Sequence, residues 1–109
     1  MNESEKTAIS QSQKKYFRQI GHQLHPVVTV GNNGLSENVL KELEGRLNDH
    51  ELIKVKINAD DREQKAQLTG EIVEATAALV VQAIGHVLLL YRPAEKPDPK
   101  LSNLLRNLT

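Results

Sequence analysis

The ten residues from Val27 to Ser36 constrain the fold of this chain more than any other stretch. A β-branched run that follows Pro26 favours a strand, and a proline at the start of a strand costs no ladder hydrogen bond. The four residues after it are Gly31, Asn32, Asn33 and Gly34. The glycines can adopt positive φ without a Cβ clash, and the asparagines tolerate left-handed geometry. With Ser36 as an N-cap, the stretch predicts a strand, a tight turn and a helix start.

This Gly-x-x-Gly turn is a candidate phosphate contact. A helix N-terminus that follows glycines presents backbone N–H groups and the positive end of the helix dipole, and no side chain blocks an approaching anion. The pattern is short, however, and it also occurs in ordinary strand-to-helix turns. The neighbouring residues must decide between a binding loop and a plain turn.

Apolar spacing predicts the remaining elements. A first helix begins near Ser12 and ends before His25-Pro26, with Phe17, Ile20 and Leu24 on one stripe. The other predicted elements are a helix over 37–48, a strand over 52–57, a helix opening at Asp61 with Leu68, Ile72 and Ala75 on its inner side, and strands over 79–84 and 87–91. Gly85-His86 between the last two strands suits a type II′ hairpin turn, which places His86 at an exposed tip.

The order α-β-α-β-α-β-β predicts a compact α/β sandwich with a four-stranded mixed sheet. Strands linked by helices tend to run parallel, whereas a hairpin must be antiparallel. The strand over 52–57 alternates, which predicts one buried face and one outer face that carries Lys54 and Lys56. The near-continuous apolarity of the last two strands predicts a central position in the sheet, with both faces covered.

Charge placement is more informative than net charge, because 14 basic and 14 acidic residues cancel. Lys14, Arg18 and His22 recur every four residues on the first helix, with Lys15 beside them and no acid between. Such a ridge is either a solvated helix face or part of a nucleic-acid footprint, and faces of the first kind usually mix signs. The ridge, the glycine turn and the Lys54/Lys56 row could share one side of the molecule.

Composition argues against several functional classes. The chain has no cysteine, which excludes disulfides and cysteine-based zinc sites or nucleophiles. No segment of the sequence is typical of a signal peptide, no apolar run is long enough to span a membrane, and the common catalytic motifs do not occur. Three aromatic residues are too few for a base-stacking platform. We therefore expect a cytoplasmic protein that is not an enzyme and holds no cofactor or metal.

The composition changes after residue 93, so residues 1–93 are expected to form the domain and residues 94–109 a proline-rich linker with a short helix. Asp98 as N-cap and Pro99 as first helical residue would introduce a leucine-rich amphipathic segment over 98–109. A helix this short is marginal alone. It could pack on its own domain, on a second copy or on another protein, or remain loose.

Several ordered blocks of the chain resemble one known family. They are Lys14-Lys15-Tyr16-Phe17-Arg18, the block from His22 to Val28, the block from Val30 to Leu35, Asp49 to Lys56, and Ile84 to Arg92. Together, over roughly residues 10 to 93, they resemble the CRM domain (chloroplast RNA splicing and ribosome maturation) and, more narrowly, its stand-alone bacterial YhbY-type members. The family commonly has a glycine where this chain has Ala77, and the tail after Pro93 lies outside the pattern.

The resemblance implies a fold similar to the C-terminal domain of translation initiation factor three. It also implies an RNA-binding module associated with precursors of the large ribosomal subunit, in which the loop from Gly31 to Gly34 and the basic residues of the first helix touch RNA. The second hypothesis is a protein-interaction module whose apolar tail recruits another assembly factor. RNA binding that survives loss of the tail would favour the first hypothesis.

Overall fold

The computed structural model describes residues 9–31 and 34–105, and within them three helices and four strands. The helices are α1 (Gln11–Gly21), α2 (Glu37–His50) and α3 (Arg62–Thr76), and the strands are β1 (Pro26–Val30), β2 (Leu52–Ile57), β3 (Leu79–Ile84) and β4 (Val87–Tyr91). The predicted element order is confirmed. The predicted bounds of β2, β3 and β4 agree with the structure, and α2 continues two residues beyond Asn48.

The four strands form one mixed sheet in the order β1-β2-β4-β3. β1 and β2 are parallel, and β4 pairs antiparallel with β2 and β3. This arrangement confirms the predicted fold class. It also corrects one prediction: β4 is central, but β3 is an edge strand, and Ile84 at its end is 61% exposed. An apolar sequence alone does not distinguish a central strand with two buried faces from an edge strand whose side chains are partly exposed to solvent.

Helices cover both faces of the sheet. Leu43 and Leu47 of α2, with Leu68 and Ile72 of α3, pack in one core cluster with Ile53 of β2. On the opposite face, α1 contributes to a second cluster, whose buried members are Phe17, Ile20, Leu52, Val81 and Leu89. The prediction of a one-sided β2 is therefore wrong at its first residue, since Leu52 is fully buried on the α1 face while Lys56 is exposed.

The end of α3 also differs from the predicted pattern. Thr76 is buried and Ala75 is exposed, because the helix turns its last residues toward the sheet through Thr76. The Thr76 hydroxyl donates to the Ile72 carbonyl at 2.7 Å and accepts from the Ala78 N–H at 3.2 Å. Ala77 then closes the helix in the left-handed region, with φ +59°. The chain therefore holds an alanine in a conformation that favours glycine.

Arg92 joins the ends of α2 and α3. Its guanidinium forms an ion pair with Glu44 at 2.7 Å, donates to the Thr76 carbonyl at 2.9 Å and donates to the Asn48 side chain at 2.9 Å. Carbonyls at a helix C-terminus have no partner within the helix, and a basic side chain there satisfies them. Arg92 is therefore a structural residue of the layer formed by α2 and α3.

The tail packs on its own domain. Residues 98–105 form turns instead of the predicted helix, and Ser102 and Asn103 are buried. The Ser102 hydroxyl donates to the Glu51 carboxylate at 2.6 Å, and the Asn103 amide donates to the Leu52 carbonyl at 2.7 Å. Burial, together with the negative charge of Glu51, raises the pKa of Tyr91 above 10.0. The sequence left open whether the tail packs on its own domain, on a second copy or on another protein, or remains loose. In the structure, residues 98–105 pack on their own domain.

Candidate nucleic-acid interface

The glycine loop leaves β1 at the end of the sheet where β2 also ends. The Gly34 N–H donates to the Gly31 carbonyl at 3.0 Å, which closes a turn, and the Asn58 N–H donates to the Val30 carbonyl at 2.8 Å. Gly34 has φ +79°, as predicted, whereas φ of Gly31 lies outside the left-handed region. A Cβ built on Gly31 would meet nothing within 4 Å. Gly31 therefore leaves open space beside the backbone.

Asn32 and Asn33, the two central residues of the predicted phosphate contact, lie outside the described residues. The helix that follows begins in the ordinary way: the Ser36 hydroxyl accepts from the Val39 N–H at 3.2 Å, and Glu37 occupies the first turn. The predicted role of Ser36 as N-cap is therefore confirmed. Because one N–H of the first turn is already capped and a carboxylate stands beside it, the helix end adds little to anion binding, and the loop backbone must supply most of the contact.

Helix α1 presents its basic residues on one flank. A capping box opens the helix, with the Ser10 hydroxyl accepting from the Gln13 N–H at 3.1 Å. Phe17, Ile20 and Gly21 form its buried stripe. The four predicted basic residues lie on one side of that stripe, where Lys14 and Arg18 are half-buried and Lys15 and His22 are exposed. The position of this flank follows from the 100° step between helical residues.

The structure brings this flank to the lysine row of β2. His22 and Lys54 line one hollow of about 240 Å³ between the end of α1 and the sheet. Lys56 lies two residues farther along the same face of β2 and pairs in register with Thr29 of β1. Thr29 is two residues before Gly31, so the row leads from the helix flank to the glycine loop. We call this set the basic strip: Lys14, Lys15, Arg18, His22, Lys54, Lys56 and the Gly31–Gly34 loop.

Acidic side chains concentrate on the other layer. No acid occurs in α1, whereas α2 and α3 carry both signs with acids in excess. The acids of these two helices are Glu37, Glu42, Glu44, Asp49, Glu63, Glu71 and Glu74. Because α2 and α3 pack on the sheet face opposite α1, a chain of zero net charge has one basic and one acidic layer. The segregation proposed from the sequence is thus present among the helices and the lysine row of β2.

Most of the chain matches one protein family. The family model for the CRS1/YhbY (CRM) domain matches residues 9–92, which include all seven helices and strands. The chain belongs to the CRM domain family. The matched range ends at Arg92, so it excludes the tail that packs on Glu51.

Relatives of this CRM domain carry names that refer to RNA. A Haemophilus influenzae protein named "RNA-binding protein" is 51% identical over 87% of this chain and 96% of its own length. A Pseudomonas aeruginosa protein named "probable RNA-binding protein" is 48% identical over 91% and 95%. The solution structure of a hypothetical protein from Staphylococcus aureus matches with a TM-score of 0.70 at 31% identity, over 82% of this chain and 93% of that one.

Sequence reasoning missed the apolar floor of the hollow. Besides His22 and Lys54, the hollow is lined by Pro26, Gln82, Ile84, Val87 and Leu89. Gln82, Ile84, Val87 and Leu89 belong to the β3–β4 hairpin, whereas Pro26, His22 and Lys54 lie far from it in the chain, so no local pattern brings the two groups together. The predicted hairpin and its alternation place Gln82, Ile84, Val87 and Leu89 on one face, but the strand order is needed to show that this face adjoins Lys54 and the end of α1.

Over residues 9–31 and 34–105, no group of three or more His, Asp or Glu residues could hold a metal ion. None of the helices there is long and apolar enough to cross a membrane.

Proposed function

We propose that this CRM domain binds structured RNA of the large ribosomal subunit precursor through the basic strip, and acts as a non-catalytic cytoplasmic assembly factor. Backbone N–H groups of the Gly31–Gly34 loop and the side chains of Lys14, Lys15, Arg18, His22, Lys54 and Lys56 contact phosphates. Phosphate contacts position a protein on RNA with little dependence on sequence. The names of the relatives support RNA as the partner.

One observation carries the proposal. His22, which follows the last residue of α1, and Lys54 of β2 line the same hollow, although they lie far apart in the chain. A solvated helix face would have no reason to meet a second basic row, because like charges repel and their approach costs free energy. Two acid-free basic elements on one layer therefore favour a shared polyanionic ligand.

Reversing two charges on the flank tests this proposal. Lys14→Glu with Arg18→Glu should reduce affinity for a ribosomal RNA fragment at least tenfold, because repulsion replaces two phosphate contacts. The measurement is a binding titration at low salt, with Tm recorded for each variant. Surface changes usually move stability by about 0.5 kcal/mol or less, so Tm should stay close to that of the parent.

The matched control lies on the acidic layer. Lys41→Glu with Arg46→Glu removes the same two residue types and changes net charge by the same amount, at exposed positions of α2. Its RNA affinity should fall much less than that of the flank variant. Equal losses would mean that RNA responds only to net charge, and the basic strip would then have no special role.

A further inference from the structure

Helix α1 leaves part of its own sheet face bare. The helix ends at Gly21, where a Cβ would lie 2.7 Å from Leu89 Cδ2, so α1 and β4 are in close contact there. The chain then turns away toward Pro26. The next row across the sheet consists of Lys56, Val87 and Ile84. Within the described residues, Lys56 is exposed, Val87 is half-buried and Ile84 is 61% exposed.

The hollow beside this row has an apolar floor and a polar rim. Pro26, Ile84, Val87 and Leu89 provide the apolar side chains, and His22, Lys54 and Gln82 provide polar ones. Its volume is about 240 Å³. Sites for drug-sized ligands run from about 300 to 1,000 Å³, so this hollow suits one ring system and is small for a whole cofactor.

A nucleobase matches both parts of this hollow. Its faces are apolar and its edge is polar, and bases that proteins extrude from RNA stack on aromatic or apolar side chains. The Gln82 amide can both donate to and accept from a base edge, and the Lys54 ammonium can donate. No aromatic residue lines the hollow; Phe17 and Tyr91 instead pack on each other, with ring centroids 4.7 Å apart.

The charges around the hollow select this occupant over an apolar peptide side chain. Lys54 and His22 stand on the rim, Lys56 lies in the next row, and Arg18 lies one helical turn before His22. A nucleotide brings phosphates that can pair with the charged side chains of Lys54, Lys56 and Arg18 while its base covers Ile84. A leucine or phenylalanine from a protein partner would cover the floor and leave the cations without a counterpart.

We infer that the hollow formed by His22, Lys54, Gln82, Ile84 and Val87 receives one unpaired base of the bound RNA. This inference rests on the RNA-binding function proposed above and adds to it a preference for RNA with a bulged or otherwise extruded nucleotide. Phosphate contacts along the basic strip hold the RNA backbone, and the hollow distinguishes an available base from a fully paired helix.

RNA hairpins that differ at one position test the inference. The full chain is titrated with a hairpin that has a one-nucleotide bulge, made with each of the four bases in turn, and with the same hairpin carrying an abasic residue at the bulge. At least one base should bind about fivefold or more tighter than the abasic RNA, the factor that corresponds to a stacking contribution of ~1 kcal/mol.

Two variants locate the effect. Ile84→Ser should remove the difference between the bulged and abasic RNAs and leave abasic binding unchanged, because Ile84 is outside the phosphate contacts. Leu101→Ser is the matched control, since Leu101 is an exposed aliphatic residue of the tail that does not line the hollow, and this variant should keep the difference. In the parent, the methyl NMR signals of Ile84 and Val87 should shift with the bulged RNA and not with the abasic RNA.

Each result has a definite meaning. Equal affinity of the parent for all five RNAs, or methyl signals that the bulged base does not move, would overturn the base-binding hollow and leave the phosphate-binding strip standing. Absence of binding by every hairpin would overturn the proposed function and this inference together. If Ile84→Ser does not fold, the methyl signals of the parent decide the outcome.

Discussion

Ala77 shows how one residue can carry strain in an otherwise regular helix end. Its φ of +59° places an L side chain in the left-handed region, and its N–H still donates to the Val73 carbonyl at 2.8 Å. The helix thus closes with the geometry of a glycine C-cap, in a chain that has no glycine there. The backbone requirement set by α3 and β3 is stronger than the preference of the residue.

We predict that Ala77→Gly raises the free energy of unfolding by about 0.5–1 kcal/mol. The left-handed conformation costs a non-glycine residue about 1–2 kcal/mol, and the greater freedom of glycine in the unfolded chain offsets part of that gain. Denaturant titration measures the change. Ala75→Gly, two residues earlier on the exposed side of α3, is the matched control and should lower stability by about 0.5–1 kcal/mol. A loss of stability in both variants would contradict the strain at Ala77.

The asparagines of the glycine loop provide a second test at the residue scale. Asn32→Asp with Asn33→Asp keeps residues that tolerate tight turns and adds two negative charges where a phosphate is expected. We predict that RNA affinity falls at least tenfold while Tm is unchanged or slightly higher, because acids near the N-terminus of α2 interact favourably with the helix dipole by about 0.3–1 kcal/mol. Affinity and thermal unfolding are measured on the same samples.

A neutral double variant separates charge from shape. Asn32→Ser with Asn33→Ser changes the side chains of the loop and adds no charge, so its RNA affinity should stay within about threefold of the parent if the backbone makes the contact. Tight RNA binding by the aspartate variant at low salt would mean that the turn only connects β1 to α2. If the aspartate variant fails to fold, Gly34→Ala tests the loop backbone instead, because it places an alanine at φ +79° and so strains the turn.

At the scale of elements, the tail behaves as part of the domain. The Glu51 carboxylate accepts from the Ser102 hydroxyl at 2.6 Å and from the Ala94 N–H at 2.9 Å, and Leu104 packs on the cluster under α1. A buried carboxylate needs such donors, because an unpaired buried charge is costly. Since Ser102 and Asn103 are buried in these contacts, the tail has less free surface for the recruiting role of the second hypothesis.

Removal of residues 94–109 should therefore lower the free energy of unfolding by about 2–4 kcal/mol, through lost hydrogen bonds to Glu51 and lost apolar burial. RNA affinity, measured well below the Tm of the truncated chain, should change less than threefold, because the basic strip lies outside the tail. Ser102→Ala, which removes one donor and leaves the chain length unchanged, should cost about 1–3 kcal/mol. A folded truncated chain that no longer binds RNA would assign the tail a part in binding.

The whole molecule separates its charges by layer. Helix α1 and the lysine row of β2 occupy one face of the sheet, and the acid-rich helices α2 and α3 occupy the other. Near a polyanion, such a molecule is attracted by one face and repelled by the other, so it binds in one orientation. Zero net charge also limits nonspecific attraction from a distance.

The number of cations in the basic strip predicts the salt dependence. With about three to five phosphates contacted and roughly 0.7–0.9 counterions released for each, log K against log salt should fall with a slope of about −2 to −5. Lys54→Gln with Lys56→Gln should make the slope shallower by about 1 to 2. Lys41→Gln with Arg46→Gln on the acidic layer should leave it nearly unchanged. A flat dependence in the parent would exclude the footprint.

Local patterns in the sequence are sufficient to predict the helices and strands and their order. The β-branched run before Gly31, the alternation over 52–57 and the caps Ser36 and Asp61 are local patterns, and local backbone preference and apolar periodicity are sufficient to interpret them. Local periodicity also predicts that Lys14, Arg18 and His22 lie on one side of the first helix and that Lys54 and Lys56 lie on one face of β2, whatever those elements pack against.

Which of these elements contact one another depends on long-range packing. The strand order places β3 at the edge of the sheet, where Ile84 is exposed. The close packing of α1 on β4 at Gly21 places His22 beside the same hollow as Lys54. The tail forms turns that pack beside Glu51 instead of a helix. The buried hydrogen bonds from Ser102 to Glu51 and from Asn103 to Leu52 outweigh the marginal helix propensity of so short a segment. Contacts between residues far apart in the chain depend on the packing of the whole core, which a local pattern does not contain.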